Sequence, residues 1–354
     1  MRTDLVAYEA LWEGAAAVEL PRDVVRVAGP DAERYLQGQL SQDVAALAPG
    51  SWAWSLLLQP QGKLVALLRV VRTGADDFIL DTDAGTGPDV VARLLRFKLR
   101  TKADISQLAW RVVAVRGRAA AEEGGEVVLG EVLRVPFQWP GSGLAGYDLL
   151  GEHPVVPAGV TQVDVADYEV ARVEAGFPRH GAELDERTIP AEAGLVEISV
   201  SFTKGCYTGQ ELVARLDARG SNVARNLRGF RLSGPASAGS RLVALAHQGD
   251  EDAGPEAGAA PARDAGRLTS VALSPDLGWV ALGYASRAVK VGDLLEVMPP
   301  PGSGPSREEG PSHESGASPG AWAPPGAGAP PGAGARPDGG RTTAGVAPLP
   351  LRQR

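Results

Sequence analysis

The sequence predicts an α+β protein built on antiparallel sheet, with a small β-barrel ending its folded region. Two observations predict it. Strand-like and helix-like runs interleave through the first part of the chain without the regular strand-helix-strand repeat of a parallel sheet. Then Leu227 to Leu232, Arg241 to Ala246, Leu268 to Leu273, Gly278 to Tyr284 and Asp293 to Val297 follow as short strand-like runs separated by turn residues. In order, Val24 to Ala28 reads as a strand. Gly29-Pro30-Asp31 then leads into a helical pattern carrying Tyr35, Leu36 and Leu40, with acids Asp31 and Glu33 suited to a helix start. Trp54 to Leu58 and Leu64 to Arg72 flank Gln59-Pro60-Gln61-Gly62-Lys63, a hairpin whose proline and glycine make the turn. Phe78 to Asp81 is a third strand. Asp89 to Arg100 places Val90, Val91, Leu94, Leu95 and Leu99 at helical spacing with a basic end.

The chain has 354 residues, 44% of them hydrophobic and 22% charged, enough for two or three packed modules. Its net charge of -8 argues against a general polyanion binder, so no direct nucleic-acid partner is expected. Lys63, Lys98, Lys102, Lys204 and Lys290 are the only lysines; every other basic residue is arginine. A single cysteine, Cys206, excludes an internal disulfide and any metal site needing several thiolates. His153, His180, His247 and His313 are scattered, without metal-ligand spacing, and no metal site is expected. No run approaches the roughly 20 apolar residues of a membrane span, and the opening residues lack the basic start of a signal peptide. A reducing cytoplasm fits these features.

Three regions follow: 1–226, 227–298 as the barrel, and 299–354 as a tail. The tail is dominated by Pro, Gly, Ala and Ser, and Pro324 to Ala335 is one hexapeptide written twice. Such composition predicts disorder. Gln248 to Ala265, acidic and rich in Ala and Gly, predicts a surface loop.

The chemistry concentrates in Lys204-Gly205-Cys206-Tyr207-Thr208-Gly209-Gln210-Glu211, followed by Leu212-Val213-Ala214-Arg215. Thr208 and Glu211 have the spacing of a capping box, and Leu212, Val213 and Leu216 supply the buried face of a helix running to about Arg219. Cys206 then sits just before a helix N-terminus and two residues from Lys204, a positive setting of the kind that activates thiols. The other reading is a small buried hydrophobe. A Cys–His pair would need tertiary contact, with His180 the nearest candidate.

This segment resembles the K-G-C-Y-x-G-Q-E signature of the YgfZ family. Arg172-Val173-Glu174-Ala175-Gly176-Phe177-Pro178 is similar to the R-x-E-A-G-x-P segment shared by that family and the glycine-cleavage T-protein. The likeness spans roughly Val24 to Val297, including Ala28-Gly29-Pro30-Asp31 to Asp43-Val44, Gln59 to Lys63, and Thr269-Ser270 to Gly283-Tyr284. It implies a three-lobed, T-protein-like fold around a folate-sized channel. It further implies that Glu174 hydrogen-bonds the pterin of tetrahydrofolate, or of a one-carbon derivative, and that Tyr168 stacks on it. Arg179, Arg215 and Arg225 are candidates for the glutamate tail.

The resemblance also implies a role for Cys206 and Lys204 in assembly, insertion or repair of [4Fe–4S] clusters in client enzymes, tRNA-modifying radical enzymes among them. The alternative is a folate-dependent aminomethyltransferase or demethylase. T-proteins carry paired aspartates on the strand after the hairpin; here it reads Leu64-Val65-Ala66-Leu67-Leu68, without an acid. Aminomethyl transfer loses its key residue.

Overall fold

The structure, a computed structural model, describes residues 4–220, 222–245, 263–300 and 341–352. Its elements begin with α1 (Leu5–Trp12), β1 (Ala16–Leu20), β2 (Arg22–Ala28), α2 (Ala32–Gln39), β3 (Ser51–Leu58), β4 (Leu64–Arg72), β5 (Asp77–Asp83) and α3 (Gly87–Lys98). There follow β6 (Asp104–Leu108), β7 (Arg111–Arg116), α4 (Arg118–Glu123), β8 (Leu133–Gln138), β9 (Ala145–Gly151), β10 (Thr161–Gln162), α5 (Val165–Ala175), α6 (Val196–Ser199) and α7 (Gln210–Asp217). Last come β11 (Arg225–Leu232), β12 (Arg241–Ala244), β13 (Asp264–Ser274), β14 (Gly278–Ser286), β15 (Leu294–Met298) and β16 (Thr343–Ala347).

The strands form two sheets and a closed barrel. The first sheet has the order β3-β4-β5-β2-β6, every pair antiparallel. The second runs β10-β1-β7-β9-β8, antiparallel except where β1 meets β10. The barrel runs β11-β14-β13-β12-β15-β16, and β16 closes it against β11. The α+β, antiparallel reading therefore holds, and each strand foreseen in the barrel region is present.

Side-chain alternation shows how the sheets are layered. On β4, Ala66, Leu68 and Val70 join a core with Tyr35 and Leu36 of α2 and Val90 and Leu94 of α3. Leu67 and Val71, on the other face, enter different clusters. Burial on both faces explains why this strand reads as an apolar run rather than an alternating one. Each such leucine contributes about 1.5–3 kcal/mol on burial. The stripe on α3 is narrower than its spacing suggests, because Leu95 and Leu99 are exposed. The largest core cluster draws on α1, β1, β3, α5, Phe177, the barrel residues Leu227, Val280, Leu282 and Tyr284, and Leu351. All three lobes meet around α5.

The tail expectation is corrected at its far end. Residues 301–340 and the insert residues 246–262 lie outside the described residues, and Asp264 and Ala265 already belong to β13. Residues 343–347 form β16, whose Ala344 and Val346 are buried in the barrel core, and Leu351 packs into the central cluster. Composition over a whole window masked this. Thr-Ala-Gly-Val-Ala needs the open edges of β11 and β15, which lie far back in the chain, to become a strand. A chain stopped after Gly340 leaves both edges unpaired. We expect it to lose about 5 kcal/mol or more of stability, measured by urea unfolding against the full chain.

Candidate functional site

The signature segment is held from two sides. On one side it meets the β3–β4 hairpin, glycine against glycine. Gly209 has φ +85°, and a Cβ there would fall 2.6 Å from the Gln59 carbonyl; a Cβ on Gly62 would fall 2.5 Å from that of Leu212. The contact explains why both motifs carry glycine at these positions. The capping box foreseen at Thr208 and Glu211 does not form. Gly209 occupies the N-cap of α7 in a left-handed conformation, one residue later than the box requires, and no side chain caps the helix there. Instead Tyr207 N donates to Gln210 Oε1, and Thr208 N donates to the carbonyl of Gly38.

On the other side, Lys204 Nζ donates to the carbonyls of Gln37, Leu40 and Gln42, each at 2.7 Å. These belong to the end of α2 and the residues after it, where helix carbonyls lack intrahelical partners. Burial pushes the Lys204 pKa down to about 8, so at neutral pH the group is still an ammonium and all its N–H bonds are used. Lys204 thus anchors the loop. Tyr207 is buried beside it, with Nζ 5.3 Å from the ring centroid. Gly205 and Cys206 are exposed, so the thiol stands at the surface of a pinned loop rather than in the core. No hydrogen bond joins Cys206 to a histidine among the described residues. His180 instead has its backbone N–H on Asp83, at 2.8 Å.

The second part of the site is α5. Asp164 caps its start by accepting from Asp167 N, and Gly176 ends it in a left-handed conformation. Val165, Tyr168, Glu169 and Arg172 share one helical face and line a cavity of about 50 Å³ with Arg22, Asp83, Arg179 and His180. The Nδ1 of His180 is buried without a hydrogen-bond partner among the described residues. Tyr168 is buried, and burial raises its pKa. Arg172 donates to Glu169 at 2.7 Å, Glu183 at 2.9 Å and Ser270 Oγ at 2.7 Å, and also to the Phe177 carbonyl. Beside it, Asp81 accepts from Arg22 and Arg69, and Asp148 from Arg116, with Arg69 2.7 Å away. Burial alone would raise the Asp81 pKa, but Arg22 and Arg69 hold it below the usual carboxylate range.

Glu174 lies six residues beyond Tyr168, about 120° around the helix. The structure therefore does not bring the two side chains onto one face. Glu174 is fully buried and accepts from the Tyr8 hydroxyl at 2.9 and 3.0 Å, while Arg352 Nη1 lies 3.7 Å away. Burial raises the Glu174 pKa. Arg225 is elsewhere, paired with Glu192 at 2.9 Å and stacked on Tyr284. Sequence reasoning missed Tyr8, Arg352, Arg22, Arg69 and Arg116, because none sits in a motif. The fully buried arginines on β-strands carried a signal in retrospect: Arg69 interrupts the apolar run of β4. Among the described residues no three His, Cys, Asp or Glu side chains group as metal ligands, and no helix is long and apolar enough to cross a membrane.

Comparison places this architecture. The glycine cleavage system aminomethyltransferase T of Bartonella henselae superimposes with a TM-score of 0.72 at 20% identity, over 99% of this chain and 90% of that one. The fold is that of an aminomethyltransferase T. No protein-family model matches the chain. In sequence it is 30% identical over 201 residues to an uncharacterized protein of Haemophilus influenzae (56% of this chain, 67% of that one). It is 30% identical over 208 residues to the iron-sulfur cluster assembly factor IBA57 homolog, mitochondrial, of Mycosarcoma maydis (55% and 51%). It is 27% identical over 234 residues to the tRNA-modifying protein YgfZ of Cronobacter sakazakii (59% and 71%). The chain thus spans about half the length of the fungal relative. These relatives and the fold together support a place in the YgfZ/IBA57 family, related to the aminomethyltransferases.

Two measurements check the site. Lys204→Met leaves three carbonyls without their donor and is expected to cost about 2–3 kcal/mol in urea unfolding. Because the folded-state pKa of Glu174 is raised, its contribution to stability falls as pH rises from the ordinary glutamate value through the raised one. Glu174→Gln keeps an acceptor for Tyr8 and removes that titration. Urea midpoints followed upward from pH 4.5, the ordinary glutamate value, should then decline less steeply in the variant than in the wild type.

Proposed function

We propose that this protein binds tetrahydrofolate or a one-carbon derivative and serves as an accessory factor for assembly, insertion or repair of [4Fe–4S] clusters in client enzymes, tRNA-modifying radical enzymes among them. The observation that carries the reading is the exposed Cys206, presented on a loop anchored by Lys204 and by the close Gly62–Gly209 contact. A thiol used on a partner must be reachable and held in place. One thiol cannot hold a four-ligand cluster, so the cluster is cargo belonging to the client or shared with it. The names of relatives, an iron-sulfur cluster assembly factor and a tRNA-modifying protein, support the same direction. A cytoplasmic setting belongs to this proposal.

For folate, the donor chemistry fits at Glu174. A buried carboxylate accepts in two-point fashion from a planar edge with adjacent N–H groups, which a pterin offers. The space beside Tyr168, about 50 Å³, is too small for a pterin in this conformation, so Tyr168 contributes to a ligand site only where that wall opens. When bound, folate supplies a one-carbon carrier. The chain's own part is to orient it through Glu174 and to keep Cys206 accessible. The all-apolar stretch Leu64 to Leu68 weighs against aminomethyl transfer, since no carboxylate stands there to assist it.

The test is complementation in cells lacking the native gene, reading the activity of a [4Fe–4S] tRNA-modifying enzyme. Cys206→Ser, at protein levels equal to wild type, is expected to leave activity at the level of the deletion. Full activity with serine overturns the role of the thiol.

A further inference from the structure

Arg352 lies in a site built for a guanidinium. Its Nη1 donates to the Tyr8 hydroxyl at 2.6 Å and to Asp276 Oδ2 at 2.9 Å, with Glu174 Oε2 at 3.7 Å. Its Cζ lies 4.6 Å from the Trp12 ring centroid and 5.4 Å from that of Tyr8. Two carboxylates and two aromatic rings are the composition that recognises planar, delocalised cations. Three elements supply them, α1, α5 and the β13–β14 turn, and the segment after β16 supplies the arginine.

The backbone behind Arg352 is seated independently of its side chain. Leu351 N and Arg352 N both donate to the Glu174 carbonyl, at 2.8 and 3.3 Å. Leu349 and Leu351 fill space that a Cβ on Gly176 or Gly229 would enter, at 2.9 and 2.7 Å from leucine carbons. Leu351 is buried, whereas the Arg352 side chain keeps 20% of its surface exposed. The side chain can therefore leave while the leucines stay. A depression of about 410 Å³, lined by Arg231, Leu277, Ala347, Pro348, Leu351 and Arg352, adjoins it and has the volume of a small-molecule site.

We propose that Tyr8, Trp12, Glu174 and Asp276 form a guanidine-recognition cage that Arg352 fills in cis, and that a ligand presenting the same planar donor edge enters through the adjoining depression by displacing the Arg352 side chain. The amino-pyrimidinone edge of a pterin carries that group: an exocyclic amine and a ring N–H on one carbon. This rests on the folate reading of Glu174 and adds its regulation, since the chain's own arginine competes for the carboxylate.

The test uses the full chain, wild type and Arg352→Ala, with methylguanidinium and 5-formyltetrahydrofolate as probes. Millimolar methylguanidinium is expected to raise the Tm of Arg352→Ala by about 2 °C and to leave the wild type unchanged, as a ligand refilling a vacated site does. Arg352→Ala is expected to bind 5-formyltetrahydrofolate on the order of tenfold more tightly than wild type, because the competent fraction is no longer limited by the resident side chain. Equal Tm responses in the two proteins overturn the cage. Folate affinity unchanged or weakened in Arg352→Ala overturns the displacement. If neither protein binds the folate while methylguanidinium still distinguishes them, the cage stands, and the folate reading falls together with the competition. Should Arg352→Ala fail to fold, Arg352→Lys, which keeps the charge but loses the planar edge, replaces it in the same comparisons.

Discussion

Arg172 is the interaction that ties the central helix α5 and the turn after it to the barrel, and the packing of the lobes is built around it. Its guanidinium reaches Glu169 on its own helix, Glu183 and the Phe177 carbonyl in the turn after it, and Ser270 on the barrel strand β13. A buried arginine is tolerable only when its donors are satisfied, because desolvating the charge costs more than an incomplete pair returns. Here the partners come from separate elements, so α5, the following turn and the barrel must sit in one arrangement for the charge to be accommodated. Coulombic pairing with Glu169 and Glu183 outweighs the burial that would lower its pKa, and the net shift is upward. Removing one partner would leave a charge stranded where the lobes meet.

A second network does the same between the two sheets. Arg22 and Arg69 share Asp81, and Arg69 and Arg116 share Asp148. Phe137 lies under both Arg69 and Arg116. Tyr168 stands between the two networks, 5.9 Å from the Arg116 guanidinium and on the same helical face as Arg172. The middle of the molecule is thus held by charges that balance one another, with little free volume. The exposed loop of Cys206 lies against α2 and the β3–β4 hairpin instead, where Lys204 meets the carbonyls at the end of α2. The chemistry-bearing thiol and the carboxylate proposed for folate are accordingly supported by separate sets of interactions.

Much of the architecture was legible in the chain. The hairpin at Gln59 to Lys63, the helix through Tyr35, and the strands from Leu227 to Val297 all follow from patterns completed within about ten residues. The helix after the signature was legible too, but not its cap. Whether Thr208 or Gly209 starts α7 depends on how closely the backbone must approach Gln59, which no local rule contains. The strand at Thr343 to Ala347 was hidden by its surroundings in sequence. Its five residues have no strong preference of their own and become a strand because β11 and β15 present unpaired edges.

The sequence by itself determined the α+β class, the family signature around Cys206, and the presence of a glutamate on a helix ending at glycine. These rest on local propensity and short-range spacing. Tertiary structure alone decided that Glu174 faces Tyr8 and Arg352, from opposite ends of the chain, and that Tyr168 faces a different cavity. It also decided that the amine of Lys204 is spent on backbone carbonyls. The physical reason is common to all three. A side chain's partner is set by which distant elements the closed barrel and the packed sheets bring against it, and burial then makes that pairing obligatory.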